Sequence, residues 1–277
     1  MATVESPSLV GFRPEHVKIS LKGVNMEYPQ RNAPPLEVVK GFTLDVYEGE
    51  FVCLIGESGC GKSTLLNAVA GLLPISRGQI LIDGEEVCGP AISRGMVFQD
   101  DAVFPWYTVY QNVGFGLKLA KVQRAECDQR IALCLQLVGL LEHKAKLPRE
   151  LSGGMRKRVD VARALVMNPA LLLMDEPFAS LDVLTKERLQ YEFLKIWQSR
   201  RMTVLFVTHD LEEALFLGDR VVVMGKRPGA VRENRKVPFV RPRDPQLRTS
   251  SEFQLLRREL AEYLGPSKDF QRQGDYA

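Results

Sequence analysis

Between Val17 and Tyr28 (VKISLKGVNMEY) apolar and polar residues alternate, the two-residue period of a half-buried strand. PQRNAPP at 29–35 predicts a turn, and the alternation resumes as far as Val46. The pattern then changes. FVCLI at 51–55 is continuously apolar, as in a strand covered on both faces of a parallel sheet. A glycine-rich turn closes that run, and KSTLLNAVAGLL follows at helical spacing. GQILIDGEEV at 78–87 predicts a hairpin around Asp83-Gly84, and GMVFQ at 95–99 one more short strand.

From about residue 100 to 166 helical patterns dominate, in RAECDQRIALCLQLVGLL at 124–141 and GMRKRVDVARALVM at 154–167. Strands return in ALLLMDEP (170–177), TVLFVTHD (203–210) and DRVVVMG (219–225), with the helical run VLTKERLQYEFLKIWQ between the first two. Strands alternating with helices predict an α/β fold on a parallel, doubly wound sheet, into which the helical stretch is inserted. The predicted organisation is a leader over residues 1–16, a main domain over 17–227 and a tail over 228–277 with the helix-like run FQLLRRELAEYL.

Composition narrows the classes. A chain of 277 residues with 45% hydrophobic and 26% charged residues has an ordinary globular profile. The net charge of +3 is too balanced to predict nucleic acid as a partner. It is unevenly spread: residues 226–277 hold twelve Lys/Arg and seven Asp/Glu, which predicts a basic, proline-rich tail wrapped over the surface. FVCLI and ALLLM are far shorter than the ~18 apolar residues of a membrane span. MATVESPSLVGF lacks a basic segment followed by an apolar one, so no secretory signal is predicted and a cytoplasmic location is expected. Five scattered cysteines (Cys53, Cys60, Cys88, Cys127, Cys134), none with metal-ligand spacing, predict buried or half-buried free thiols.

The chemistry is concentrated in a few segments. Gly56-Glu57-Ser58-Gly59-Cys60-Gly61-Lys62-Ser63, followed by Thr64, matches GxxxxGK[ST] at every position, between a buried strand and a helix. Glycines let the backbone close around phosphates, and successive N–H groups at a helix start form an anion nest. Lys62 is placed to neutralise β- and γ-phosphate charge, and the Ser63 hydroxyl to ligate Mg²⁺. ALLLMDEP delivers Asp175 and Glu176 at a strand's C-terminal end, Asp175 toward Mg²⁺ and Glu176 as general base for an attacking water. Leu151-Ser152-Gly153-Gly154 opens a helix and reads as a second anion cradle. Two cradles in one chain suggest two copies sharing two nucleotides.

With these motifs in this order, the chain resembles the ATP-binding cassette (ABC) family of ATPases from about Val17 to Met224. The resemblance implies a P-loop (RecA-like), mostly parallel core with an antiparallel β subdomain and an inserted helical subdomain. It also implies ATP and Mg²⁺, and individual roles. Tyr28 resembles the aromatic residue that stacks on adenine, and Gln99 the glutamine that senses Mg²⁺ and γ-phosphate. Ser152, Gly153 and Gly154 match the signature that binds the partner's ATP, Asp182 the aspartate at the dimer seam, and His209 the histidine that contacts γ-phosphate. Met155, Lys157 and Asp160 depart from the pattern: relatives often have glutamine at the first two and an alanine-like residue at the third.

The family further implies a head-to-tail dimer, with ATP between Gly56–Thr64 of one copy and Ser152–Gly154 of the other. FQDDAVFPWYTVYQNVGFGLKL, DEPFASLDVLTKERLQ and THDLEEALFLGDRVVVMGKRPGAV resemble importers of nitrate, sulfonate and taurine. That implies separate transmembrane permease subunits, a periplasmic solute-binding protein and a peripheral place on the cytoplasmic face of the inner membrane. Trp106 and Tyr107 are candidates for permease contact or for packing within the helical unit. The alternative, a soluble ABC ATPase acting on the ribosome or DNA, would carry two cassettes or a coiled-coil arm. Only about 90 residues separate the phosphate loop from the signature, too few for an arm.

Overall fold

The computed structural model describes residues 16–31, 33–200 and 202–264; residues 1–15 of the expected leader and 265–277 of the tail lie outside the described residues. In chain order the strands are β1 (Val17–Gln30), β2 (Ala33–Tyr47), β3 (Phe51–Gly56), β4 (Arg77–Ile82), β5 (Glu85–Glu86), β6 (Arg94–Val97), β7 (Leu171–Asp175), β8 (Thr203–Thr208), β9 (Arg220–Met224) and β10 (Val231–Lys236). The helices are α1 (Lys62–Ala70), α2 (Val109–Leu119), α3 (Arg124–Leu137), α4 (Gly153–Val166), α5 (Val183–Arg200), α6 (Leu211–Leu217) and α7 (Ser251–Leu264).

Two sheets form. One has the order β2-β1-β4-β5 and is antiparallel; the other runs β10-β9-β3-β8-β7-β6. In the second, β9, β3, β8, β7 and β6 are parallel and β10 joins the edge antiparallel. The continuous apolar runs have a simple use. Phe51, Cys53 and Ile55 of β3 face one core with Val204 and Phe206 of β8 and Leu172 and Met174 of β7. The intervening Val52, Leu54, Leu205, Val207, Leu171 and Leu173 face a second core, shared with the antiparallel sheet and α1. A strand that feeds two cores has no face for polar residues. Helix α1 is thereby held between the sheets, with its N-terminus at the C-terminal ends of β3, β7 and β8.

The turn expected at 29–35 is tighter than its prolines suggest. β1 extends to Gln30, which pairs with Ala33, and the register shifts between Tyr28 and Gln30. Pro29, Pro34 and Pro35 are exposed at this irregular end of the hairpin, where a missing N–H costs little. Asp83-Gly84 does form the predicted turn, with φ of 52° and 80°.

Helix α2 was not evident from periodicity. It starts at a capping box, Thr108 with Gln111, and its two glycines lower its helix propensity. They serve close packing: an added Cβ at Gly114 would lie 2.6 Å from Ile131 Cδ1, and one at Gly116 2.7 Å from Met167 Sδ.

The described part of the tail is more than a solvated wrap. β10 extends the main sheet, and Phe253, Leu256 and Leu260 of α7 are buried in the first core. Phe239 stacks on Phe253 at 5.5 Å. Arg243 is buried and donates to the carbonyls of Leu215 (3.0 Å) and Phe216 (2.8 Å), while Arg241 donates to that of Leu217 (2.6 Å). Arg241 and Arg243 thus cap the C-terminus of α6, where the helix dipole favours positive charge. All five cysteines are free; Cys88, expected to be at least half-buried, is exposed.

Candidate nucleotide site

The phosphate loop begins where β3 ends. Gly61 caps α1 with φ of 104°, and an added Cβ there would lie 3.0 Å from both Val38 Cγ1 and Val39 Cγ2. Only glycine meets both demands without strain. Lys62 is buried and folds back over the loop, donating to the carbonyls of Gly56 (2.8 Å) and Glu57 (2.9 Å). The Cys60 side chain turns inward and is buried, whereas Glu57 Oε1 pairs outward with Lys226 Nζ at 3.3 Å.

The acidic end of β7 meets this loop. Ser63 Oγ donates to Asp175 Oδ1 at 3.1 Å. Burial pushes the Asp175 carboxyl above its usual range; the Ser63 hydrogen bond opposes this and the Glu176 charge adds to it. Glu176 has φ of 45°, an uncommon conformation for glutamate, and its N–H donates to Val207 O at 2.9 Å. That bond fixes the residue to β8. At the end of β8, His209 Nδ1 reaches Glu176 Oε1 at 3.1 Å.

Thr208, next to His209, accepts from Asp210 N at 3.1 Å and donates to the buried Glu213. Burial raises the Glu213 pKa, opposed by Lys186. Lys186, on α5 just beyond Asp182, pairs with Asp210 at 2.8 Å. The segments bearing Asp182 and His209 are therefore tied together behind the site.

A cleft of about 270 Å³ opens over the loop. Tyr28, Leu36 and Val38 line one part, and Ser58, Gly59, Gly61, Lys62, Ser63 and Thr64 line its floor, with Gln99 and Glu176 beside them. Tyr28 is 40% exposed at the cleft.

Arg227 also lines the cleft and was not among the residues read from sequence. Its Nε and NH2 donate to Gly59 O at 3.1 and 2.9 Å. The reason lies in strand order: β9 is the parallel neighbour of β3, and Met224 pairs with Gly56. Whatever follows Met224 must therefore pass over the phosphate loop. GKRPG after the last apolar strand is the only local hint.

The signature residues are elsewhere. Ser152 caps α4, accepting from Met155 N at 3.3 Å, and is exposed. An added Cβ on Gly154 would lie 3.0 Å from Leu181 Cδ2, so the α4 N-terminus and the segment before Asp182 form one patch. Asp182 Oδ1 accepts from Thr185 N at 3.0 Å. Ser152, Gly153, Gly154 and Asp182 do not line the cleft. Lys157 and Asp160, further along α4, are each only 2% exposed.

The cleft can hold a polyphosphate between the α1 N-terminus and Lys62. The oxygen donors Ser63, Asp175 and Gln99 suit Mg²⁺, which takes few protein ligands and completes its shell with water and phosphate oxygens. Among the described residues no group of three or more His, Cys, Asp or Glu is placed to hold a metal unaided, and no helix is long and apolar enough to cross a membrane.

Comparison with known proteins gives the family. The ABC transporter family model matches residues 39–179. The taurine import ATP-binding protein TauB of Rhizobium johnstonii is 48% identical over 232 residues, covering 82% of this chain and 88% of its own. The bicarbonate transport ATP-binding protein CmpD of Synechococcus elongatus is 48% identical over 213 residues, covering 76% and 77%. The dimeric, post-hydrolysis structure of the ATP-binding cassette MJ0796 with ADP and Pi superposes with a TM-score of 0.73 at 30% identity, covering 80% of this chain and 99% of that one. Built on this fold and this close to such relatives, the chain belongs to the ABC transporter family, as one of its ATP-binding, ATP-hydrolysing cassettes.

Proposed function

We propose that the chain is the ATPase subunit of a membrane importer, pairing head to tail with a second cassette and coupling ATP-driven closure to uptake of a small anionic or zwitterionic solute of the nitrate, sulfonate or taurine kind. One observation carries this reading. Ser152–Gly154 and Asp182 are exposed or half-exposed in a patch that does not line the cleft, which supports a second anion cradle serving a nucleotide on another copy. The names of TauB, a taurine import protein, and CmpD, a bicarbonate transport protein, support a solute of this class.

In this reading Tyr28 stacks on adenine, the Gly56–Thr64 backbone cradles the phosphates, and Lys62 exchanges its loop carbonyls for β- and γ-oxygens. Ser63, Asp175 and Gln99 would hold Mg²⁺, which would supply neutralisation of the phosphate charge. Glu176 accepts a proton from the attacking water, whose oxygen bonds to the γ-phosphorus. The bond from the γ-phosphorus to the β,γ-bridging oxygen breaks, leaving ADP and phosphate. His209 holds Glu176 in place and donates to the γ-phosphate. ATP touches both copies, so it favours the closed pair, and hydrolysis removes that preference.

Transmission would run through the helical unit to a permease. Trp106 is 69% exposed at the edge of an aromatic group with Phe104, Tyr107 and Phe115. The buried Asn112 shapes that loop, donating to the carbonyls of Phe104 (3.1 Å), Tyr107 (3.0 Å) and Thr108 (3.1 Å). The subunit then works peripherally, on the cytoplasmic face of the inner membrane. The test is purification of the tagged chain from its native membrane. Recovery of a polytopic permease, with ATP turnover in vesicles raised by a liganded periplasmic solute-binding protein, is expected. Recovery with ribosomes or DNA would overturn the importer reading.

A further inference from the structure

Residues 98–102, which carry Gln99 away from β6, form no regular element. One face of α4 holds them. Lys157 Nζ donates to the carbonyls of Gln99 (2.6 Å), Asp100 (3.5 Å) and Phe98. Asp160 Oδ2 accepts from Ala102 N at 2.9 Å, and its Oδ1 accepts from Arg163 at 2.9 Å. Arg163 also donates to Ala102 O at 2.6 Å, and Arg156 Nε meets Asp101 Oδ2 at 2.7 Å. Helical spacing brings positions 156, 160 and 163 onto one face, with 157 beside them.

Lys157 and Asp160 are both 2% exposed. Apolar side chains could fill that volume without the desolvation cost of two buried charges. What charged groups add is direction: the ammonium fixes three consecutive carbonyls and the carboxylate fixes an N–H.

We propose that Lys157 and Asp160 are positioning residues for Gln99, fastening the 98–102 loop to the signature helix so that Gln99 and Ser152–Gly154 move as one body. The inference rests on the role proposed above for Gln99. Gln99 lines this chain's own cleft, whereas Ser152–Gly154 serve the nucleotide of the other copy. The clamp therefore makes the two nucleotide contacts of one chain interdependent, so that neither moves without the other.

The test is a double-mutant cycle in the full chain, reading phosphate release against Mg²⁺ at saturating ATP, with hydrogen exchange as a second readout. Lys157→Met is expected to lower kcat about tenfold, to raise the Mg²⁺ needed for half-maximal rate, and to speed amide exchange over 98–102 but not over 56–64. Binding of a fluorescent ATP analogue in EDTA stays unchanged. In a Gln99→Ala background, itself impaired, Lys157→Met adds less than a twofold loss. If the two losses multiply in full, or exchange over 98–102 is unaltered, the clamp is overturned. If Gln99→Ala alone turns over at the wild-type rate, it is the reading of Gln99 that fails. Asp160→Asn keeps an acceptor for Ala102 N–H and runs the same cycle should Lys157→Met not fold.

Discussion

His209 Nδ1 lies 3.1 Å from Glu176 Oε1, although the two residues follow different strands. The contact exists because β7 and β8 are adjacent and parallel, with Asp175 paired to Val207, so both strands end at the same level. A hydrogen bond to a charged group is worth about 1.5–3 kcal/mol. His209→Ala is therefore expected to lower kcat roughly 10- to 100-fold with little change in the KM for ATP. A change confined to KM would place His209 in binding rather than in the chemical step.

Arg227 adds a cation to the rim of the cleft, held by the Gly59 carbonyl. Arg227→Gln should raise the KM for ATP severalfold, more at low salt than at high, and leave kcat unaltered. Steady-state kinetics at two ionic strengths give the answer. A salt-independent effect would mean that Arg227 acts by shaping the loop, not through its charge.

Ser152 is exposed and outside the cleft of its own chain. Ser152→Arg is expected to leave nucleotide binding by the single chain intact and to abolish ATP-driven pairing, read by gel filtration beside equilibrium binding. Loss of nucleotide binding by the isolated chain would put Ser152 in the same-chain site.

Phe253 is fully buried in the first core and stacked on Phe239, which makes α7 part of the folded body. Phe253→Ala should destabilise the chain by about 3–5 kcal/mol, the usual range for removing a buried ring. Chemical denaturation would show it as a lower midpoint. A change below ~0.5 kcal/mol would fit a surface wrap instead.

What could be read in the sequence was chemistry carried by neighbours along the chain. The phosphate loop, Asp175 with Glu176 and the Ser152 cap each consist of contiguous residues at an element's end, so composition and flanking pattern identify them. Arg227 and the Lys157–Asp160 clamp depend on which strand or helix lies alongside, information that residues 225–227 or 157–160 do not carry locally. Helix α2 was hidden by glycines whose purpose is close packing. The tail reads as solvated because its arginines look like surface charge, yet Arg241 and Arg243 find partners in the carbonyls ending α6, over twenty residues away.

The proposed function stands or falls with Glu176 as the general base in a nucleotide site completed by a second copy. Glu176→Gln keeps the size of the side chain and removes its basicity, a change worth about 10²–10⁴ in rate for a general base. Gel filtration of this variant with ATP and Mg²⁺, with the bound nucleotide quantified, tests both halves together. A stable dimer holding two unhydrolysed ATP molecules is expected; a monomer, or wild-type phosphate release from the variant, would overturn the general-base role in a shared site.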